Sequence, residues 1–224
     1  MKRVRFGKSN EDVSAIALGL MRIQSAKNPV EIIETAFDAG IDFFDHADIY
    51  GRGESETIFA EALKKTSINR GDIFIQSKCG IVPGEMYDFS KEHIVRAVEG
   101  SLKRLDVDYL DALLLHRPDT LMEPEDVAEA FTKLEKEGKV RHFGVSNFTP
   151  GHVELLKTSV KQPLQANQLR FGLMHTGMVN QGINANRTHE SSIDHDGGVL
   201  EYSRVNQMTI QAWSPYQYGL FEGV

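Results

Sequence analysis

Short apolar runs alternate along this chain with amphipathic stretches that open on helix-starting residues. The runs fall at 14–21 (SAIALGLM), 41–48 (IDFFDHAD), 72–79 (DIFIQSKC), 109–117 (YLDALLLHR), 140–147 (VRHFGVSN), 163–169 (PLQANQL) and 208–215 (MTIQAWSP). Each has the length of a strand, and continuous rather than alternating apolarity predicts burial on both faces. Helical segments are predicted between them. NPVEIIETAFDAG has Asn28 to cap, Pro29 at the first position, Glu31 to complete a capping box and Gly40 as a stop. Ser90 opens FSKEHIVRAVEGSLKRL, and Thr149-Pro150 repeats the cap-then-proline signal. Further helices are predicted in ESETIFAEALKKT, EPEDVAEAFTKLEKEGK and GGVLEYSRVNQ. Ahead of them, RVRFGKSNEDVSAI has the pattern of a hairpin turning at Lys8 to Asn10, suited to closing one end of a barrel. Strands alternating with helices imply parallel pairing. Seven such strands in one domain predict an α/β fold of the (β/α)₈ TIM-barrel type, with only seven β/α strands in this chain. The G-x-G-x-x-G fingerprint of open dinucleotide-binding sheets does not follow the first strand.

Composition narrows the function. The chain has 224 residues, 41% of them hydrophobic and 25% charged, enough for one sizeable core. A net charge of −7 disfavours nucleic acid or an anionic membrane as the main partner. The single cysteine, Cys79, allows no internal disulfide and no zinc framework, in keeping with a reducing cytoplasm. No apolar run follows the basic start MKRVRFGKSN, so it lacks the pattern of a signal peptide, and no run reaches the ~18 residues of a membrane span.

In a barrel, chemistry gathers at the C-terminal ends of the strands. Those ends carry Asp45, with Tyr50 shortly after, then Lys78, His116, Ser146-Asn147, Gln168 and Trp213-Ser214. A free phenol, with a pKa of about 10, holds its proton too tightly for exchange at neutral pH. An ammonium about 4 Å away contributes about 4 kcal/mol at an effective dielectric near 20, which predicts that Lys78 draws Tyr50 down by up to ~3 pKa units. Asp45 is expected to hold Lys78 charged, and a neutral His116 to orient a carbonyl oxygen beside the phenol. No activated serine or cysteine stands out as nucleophile, so a hydride from a reduced nicotinamide is the natural attacking species. Ser146, Asn147 and Gln168 suit its carboxamide, and the Trp213 indole its ring.

These segments resemble the aldo-keto reductases. DHADIYGRGESE is similar to the family's aspartate-to-tyrosine signature, IQSKCG to its lysine segment, LLLHRPD to its histidine segment and GVSNF to its serine-asparagine motif. NQLRF and WSPYQYGLF are similar to its later cofactor strands, and all occur in family order along the whole chain. LGLMRI and WSPY point to the bacterial, monomer-type oxidoreductases. The resemblance implies Tyr50 as proton donor, Lys78 and Asp45 as its tuning partners and His116 as the substrate-orienting residue. It implies Ser146, Asn147, Gln168, Trp213, Ser214, Asp45 and Met21 as cofactor contacts. NADP(H), an aldehyde or ketone as small-molecule substrate, no metal and a monomer complete what it implies.

The pattern departs from the family after the seventh strand. An eighth β/α unit is missing, and the last 19 residues contain nothing basic to hold the adenosine 2′-phosphate that the missing unit grips in the family. The expectation is a barrel domain over 1–224 that is incomplete at its C-terminus, with weak or absent cofactor binding. Residues 172–198 contain His175, His189, Asp194, His195 and Asp196 without helical metal-ligand spacing, and are expected to form a mobile or disordered loop. Met86, Tyr87 and Phe89 are candidates for an apolar substrate pocket. Two other functions compete. One is a non-catalytic, cofactor-sensing binding module on the same scaffold. The other is a metal-dependent barrel hydrolase using His46, His116 and several aspartates, with Lys78 as a carbamylated or charged partner.

Overall fold

The computed structural model describes residues 1–216. The first 14 residues form the expected hairpin, β1 (Arg3–Arg5) antiparallel to β2 (Asp12–Ser14), turning through residues 7–10. The expected strands follow in chain order: β3 (Ala17–Gly19), β4 (Phe43–Asp45), β5 (Phe74–Cys79), a two-residue-per-strand hairpin of β6 (Ile81–Val82) and β7 (Met86–Tyr87), then β8 (Leu110–Leu115), β9 (Val140–Ser146), β10 (Leu164–Arg170) and β11 (Thr209–Trp213). The seven main strands make one parallel sheet in the order β11-β10-β9-β8-β5-β4-β3, so each pairs with its neighbour in sequence. The sheet curls toward a barrel. Among the described residues β3 pairs only with β4, and β11 only with β10.

Among the described residues seven α-helices separate the strands: α1 (Pro29–Asp38), α2 (Glu54–Leu63), α3 (Lys91–Leu105), α4 (Pro124–Lys136), α5 (Pro150–Lys157), α6 (Gly177–Ile183) and α7 (Val199–Val205). Their starts follow the sequence signals closely. Asn28, Ser90 and Thr149 each accept a hydrogen bond from the backbone N–H three residues on. The box expected at Glu31 closes differently, because its carboxylate accepts from the Asn28 side-chain amide at 3.2 Å. A reciprocal box forms instead at Thr149 and His152. The segment 172–198, expected to be structureless, contains α6 and a short 3₁₀ turn at Glu190–Ser192. Its acids serve the backbone: Asp196 Oδ1 accepts from the N–H groups of Gly198 and Val199 at the start of α7, and Asp194 Oδ1 from those of Asp196 and Gly197.

Side chains alternate across the sheet. Phe44, Ile75, Leu113, Leu115, Phe143 and Val145 face outward into the main core against the helices, where Phe131 stacks on Phe143 at 4.1 Å. The inner face begins, at the N-terminal end of the strands, with a second cluster of Phe6, Val13, Phe43, Phe74, Ala112, Leu114 and Ala166. Phe6 comes from the hairpin and lies 4.9 Å from Phe74 and 6.2 Å from Phe43, so the hairpin plugs that end. Its turn is also tied across the barrel, Gly7 N–H donating to Thr209 Oγ1 at 2.7 Å and Lys8 N–H to Gln165 Oε1 at 2.7 Å.

Candidate active site

Two residues further along the same inner face, the barrel lining changes character. Asp45 follows Phe43 on β4, and Gln76 and then Lys78 follow Phe74 on β5. Lys78 is fully buried. Its ammonium donates to Asp45 Oδ2 at 2.7 Å, to the backbone carbonyl of His46 at 2.7 Å and to Tyr50 Oη at 3.2 Å. Three acceptors match the three protons of an ammonium, which is what a buried cation needs. Burial alone would lower its pKa, yet the Asp45 and Tyr50 contacts outweigh that and raise it. The contacts expected to hold Lys78 charged are therefore in place.

Tyr50 reaches this ammonium from the loop beyond β4. The chain turns there through Gly51, Arg52 and Gly53, all left-handed at φ of 57°, 58° and 92°. The φ of 92° at the third favours glycine. His116, immediately after β8, lies edge-on to the Tyr50 phenol with ring centroids 5.8 Å apart. Burial first, then the Lys78 and Arg117 charges, push His116 down to about 3, so its ring is neutral at pH 7. Its Nδ1 is buried without a partner.

The expected lowering of the Tyr50 pKa is not found. Burial of the phenol raises it, Lys78 opposes that, and the net direction is upward from 10. The sequence estimate counted the ammonium and omitted the loss of water around the phenol and the nearby Asp45 charge.

Ser146, Asn147 and Trp213 form one continuous chain of hydrogen bonds. Ser146 Oγ donates to the carbonyl of Gln168 at 2.9 Å and accepts from Asn147 Nδ2 at 2.8 Å, while Asn147 Oδ1 accepts from the Trp213 indole N–H at 3.0 Å. Asn147 adopts a left-handed φ of 62°, which asparagine tolerates better than most residues. Trp213 also has the guanidinium groups of Arg170 and Arg117 at 5.6 and 6.0 Å from its ring centre. Ser214 follows it at the same rim, and Met21 is exposed just past β3. Gln168 Nε2 donates to Asp45 Oδ1 at 3.1 Å and to Gln211 Oε1 at 3.0 Å. Phe89 is buried against Phe148 and is no pocket liner, whereas Met86 and Tyr87 are exposed on the β6–β7 hairpin.

Three features escaped the sequence reading. Gln76 and Gln211 meet inside the barrel, although the two-residue alternation of β5 and β11 does place them on the inner face. Behind the site, the fully buried Glu56 accepts from Ser77 Oγ at 2.7 Å and from the Arg104 guanidinium at 2.7 Å, bolting α2 to β5 and α3. Asp48, beside this cluster, is pushed up to about 7 by burial and by the Glu56 charge. His46 faces outward against Phe59 at 4.6 Å with both ring nitrogens unpartnered, and burial holds it neutral, with a pKa of about 3. It points away from the rim, and among the described residues no three His, Cys, Asp or Glu side chains gather to hold a metal, against the arrangement the hydrolase reading needs. No described helix is long and apolar enough to cross a membrane.

Residues 15–223 match the aldo/keto reductase family. The chain belongs to that family. It is 38% identical to oxidoreductase YdhF of Escherichia coli over 81% of this chain and 65% of that protein. It is 36% identical to the uncharacterized oxidoreductase YcsN of Bacillus subtilis over 98% of this chain and 72% of that protein. The chain thus spans about two thirds to three quarters of the length of these relatives. A solved structure of the thermostable aldo-keto reductase Tm1743 with the inhibitor epalrestat superposes with a TM-score of 0.79 at 26% identity, covering all of this chain and 76% of that one. The seven-stranded curled parallel sheet thus matches the (β/α)₈ fold of its structural neighbours, as its strand order implies.

Proposed function

We propose that this chain reduces an aldehyde or ketone to an alcohol, with NADP(H) as hydride carrier and Tyr50 as general acid. The observation carrying the reading is the buried Lys78 ammonium, bonded at once to Asp45 and to the Tyr50 hydroxyl. The mouth fits a nicotinamide. Ser146, Asn147 and Trp213 join polar groups and an aromatic surface on the strands beyond His116, which keeps an orphaned buried nitrogen. When bound, the reduced nicotinamide supplies a hydride to the carbonyl carbon.

The chain's own residues handle the proton. Tyr50, with its pKa raised, carries its proton at neutral pH and donates it to the carbonyl oxygen as negative charge develops there. The tyrosinate left behind lies 3.2 Å from an ammonium that is already in place, so the site stabilises the product of proton transfer without having to rearrange. Neutral His116 sits beside the phenol to orient the same oxygen. Asp45 keeps the ammonium fixed, and the exposed Met86 and Tyr87 on the hairpin are candidates for substrate contact.

Fluorescence titration with NADPH and NADH, followed by turnover of a panel of aldehydes, tests the proposal. Weak NADPH binding with Tyr50-dependent turnover is expected, because the last 19 residues bring nothing basic to the adenosine 2′-phosphate. Binding without turnover would favour the cofactor-sensing module, and a folded chain that binds neither dinucleotide would contradict the reading.

A further inference from the structure

Beneath the Lys78 ammonium, the barrel interior holds a layer of side-chain amides. Gln76 and Gln211 exchange two hydrogen bonds, Nε2 of each donating to Oε1 of the other at 2.9 Å. They come from β5 and β11, which β8, β9 and β10 separate in the sheet, so the pair spans the interior. Gln76 Nε2 also donates to Asp45 Oδ1 at 2.6 Å, and Gln168 Nε2 donates to that same oxygen at 3.1 Å and to Gln211 Oε1 at 3.0 Å. Asp45 is therefore divided in function, with Oδ1 held by two neutral amides and Oδ2 left to Lys78.

We propose that Gln76 and Gln211 are positioning residues for the proton donor, fixing Asp45 so that its second oxygen stays on Lys78 and Lys78 stays charged beside Tyr50. The proposal rests on the reductase reading and adds to it a part of the machinery that touches neither substrate nor cofactor. Amides suit the task because they bring donors without charge. Lysine or arginine at these positions would compete with Lys78 for Asp45, and a carboxylate would repel it. Gln76 is fully buried, so every polar atom it carries has to be satisfied inside the barrel, and Gln211 satisfies what Asp45 does not. The three glutamines and Asp45 act as one unit, so loss of either member of the pair should release the rest.

The sign of the effect follows from the contacts. If Asp45 swings away, the buried ammonium loses the partner that keeps it charged. Tyr50 then loses both the Asp45 charge that raises it and the Lys78 charge and hydrogen bond that lower it; the Lys78 contribution is the larger, so its ionisation moves to higher pH.

Gln76→Met and Gln211→Met keep side-chain volume while removing the amides, and circular dichroism checks that each folds. Gln211 is only half-buried, so its variant remains informative if Gln76→Met does not fold. The expected result for each is a kcat about tenfold lower, as for loss of a hydrogen bond to a charged group, with the high-pH limb of kcat displaced upward. The double variant should be no worse than the poorer single variant, because the pair acts as a unit. NADPH affinity should stay within about twofold, since the amides lie below the rim.

A second readout needs neither cofactor nor turnover. Tyrosinate absorbance of each variant, with the matching Tyr50→Phe protein subtracted, gives the Tyr50 midpoint directly. An upward displacement supports the proposal. A folded variant with unchanged kcat and unchanged Tyr50 midpoint overturns it, as does a loss of activity explained wholly by weaker NADPH binding. Failure of the reductase reading would appear separately, as absence of NADPH binding and turnover in the unaltered chain, and the absorbance titration would still decide the positioning role.

Discussion

The two ends of the barrel interior are built on the same strands and do opposite work. At the N-terminal end, Phe43 and Phe74 pack with Phe6 in an aromatic layer, with the ring of His142 against Phe6 at 5.9 Å. Two residues along β4 and two to four along β5, Asp45, Gln76 and Lys78 occupy the same face as a hydrogen-bonded polar network. The lower layer gains from burial itself. The upper one repays the desolvation of its charges only through directed contacts, and it leaves His116 Nδ1 without a partner. A period of two residues therefore separates a stabilising end from a reactive one, and the hairpin that seals the lower end brings no residue to the upper.

Substitutions should split along that line. The largest effect is expected from Tyr50→Phe, with turnover reduced by about 10²–10⁴ while unfolding by urea is little changed. Phe74→Ala should do the reverse, costing about 3–5 kcal/mol in urea unfolding while the KM of the folded fraction stays close to that of the unaltered chain. Arg104→Met tests whether the polar architecture behind the site is also structural. It leaves the buried Glu56 carboxylate with Ser77 alone, and a loss of about 3–5 kcal/mol is expected.

Stability against pH gives a finer separation. Asp48, raised to about 7 when folded, binds a proton that the unfolded chain has released above about 4. Its contribution is therefore full below the unfolded value and is lost as pH rises from about 4 to 7. His46 and His116, held near 3, have the opposite effect. The unfolded chain binds their protons below about 6.5, so stability falls as pH drops from there toward 3. Asp48→Asn should accordingly stabilise the protein more at pH 8 than at pH 5, and should steepen the acid loss that the histidines leave, as followed by thermal unfolding across that range. The smallest effect is expected at a helix end remote from both layers, where Thr149→Ala should cost about 1 kcal/mol.

Much of this was legible before the structure. Apolar runs located all seven parallel strands, and Asn28, Ser90 and Thr149 marked helix starts, because these signals depend on neighbours only a few residues away. Asp45, Tyr50, Lys78 and His116 were legible as strand-end residues, and parallel pairing brought them together. The Gln76–Gln211 pair was hidden because it joins residues 135 apart across the sheet, and the Glu56–Arg104 bond because it joins two helices. The direction of the Tyr50 shift was misjudged for a related reason. A charge neighbour is visible in sequence, whereas the degree of burial that outweighs it is not. In 172–198, short-range turns made by Asp194 and Asp196 organise a segment whose composition alone resembles loose chain.

The measurement that bears most directly on the division between the two ends is NADPH oxidation in the presence of an aromatic aldehyde. It compares the unaltered chain with Tyr50→Phe and Phe74→Ala, each first confirmed to be folded. The account predicts steady oxidation by the unaltered chain, near-complete loss in Tyr50→Phe with NADPH binding retained, and activity per folded molecule preserved in Phe74→Ala. Equal turnover by the unaltered chain and Tyr50→Phe would contradict it.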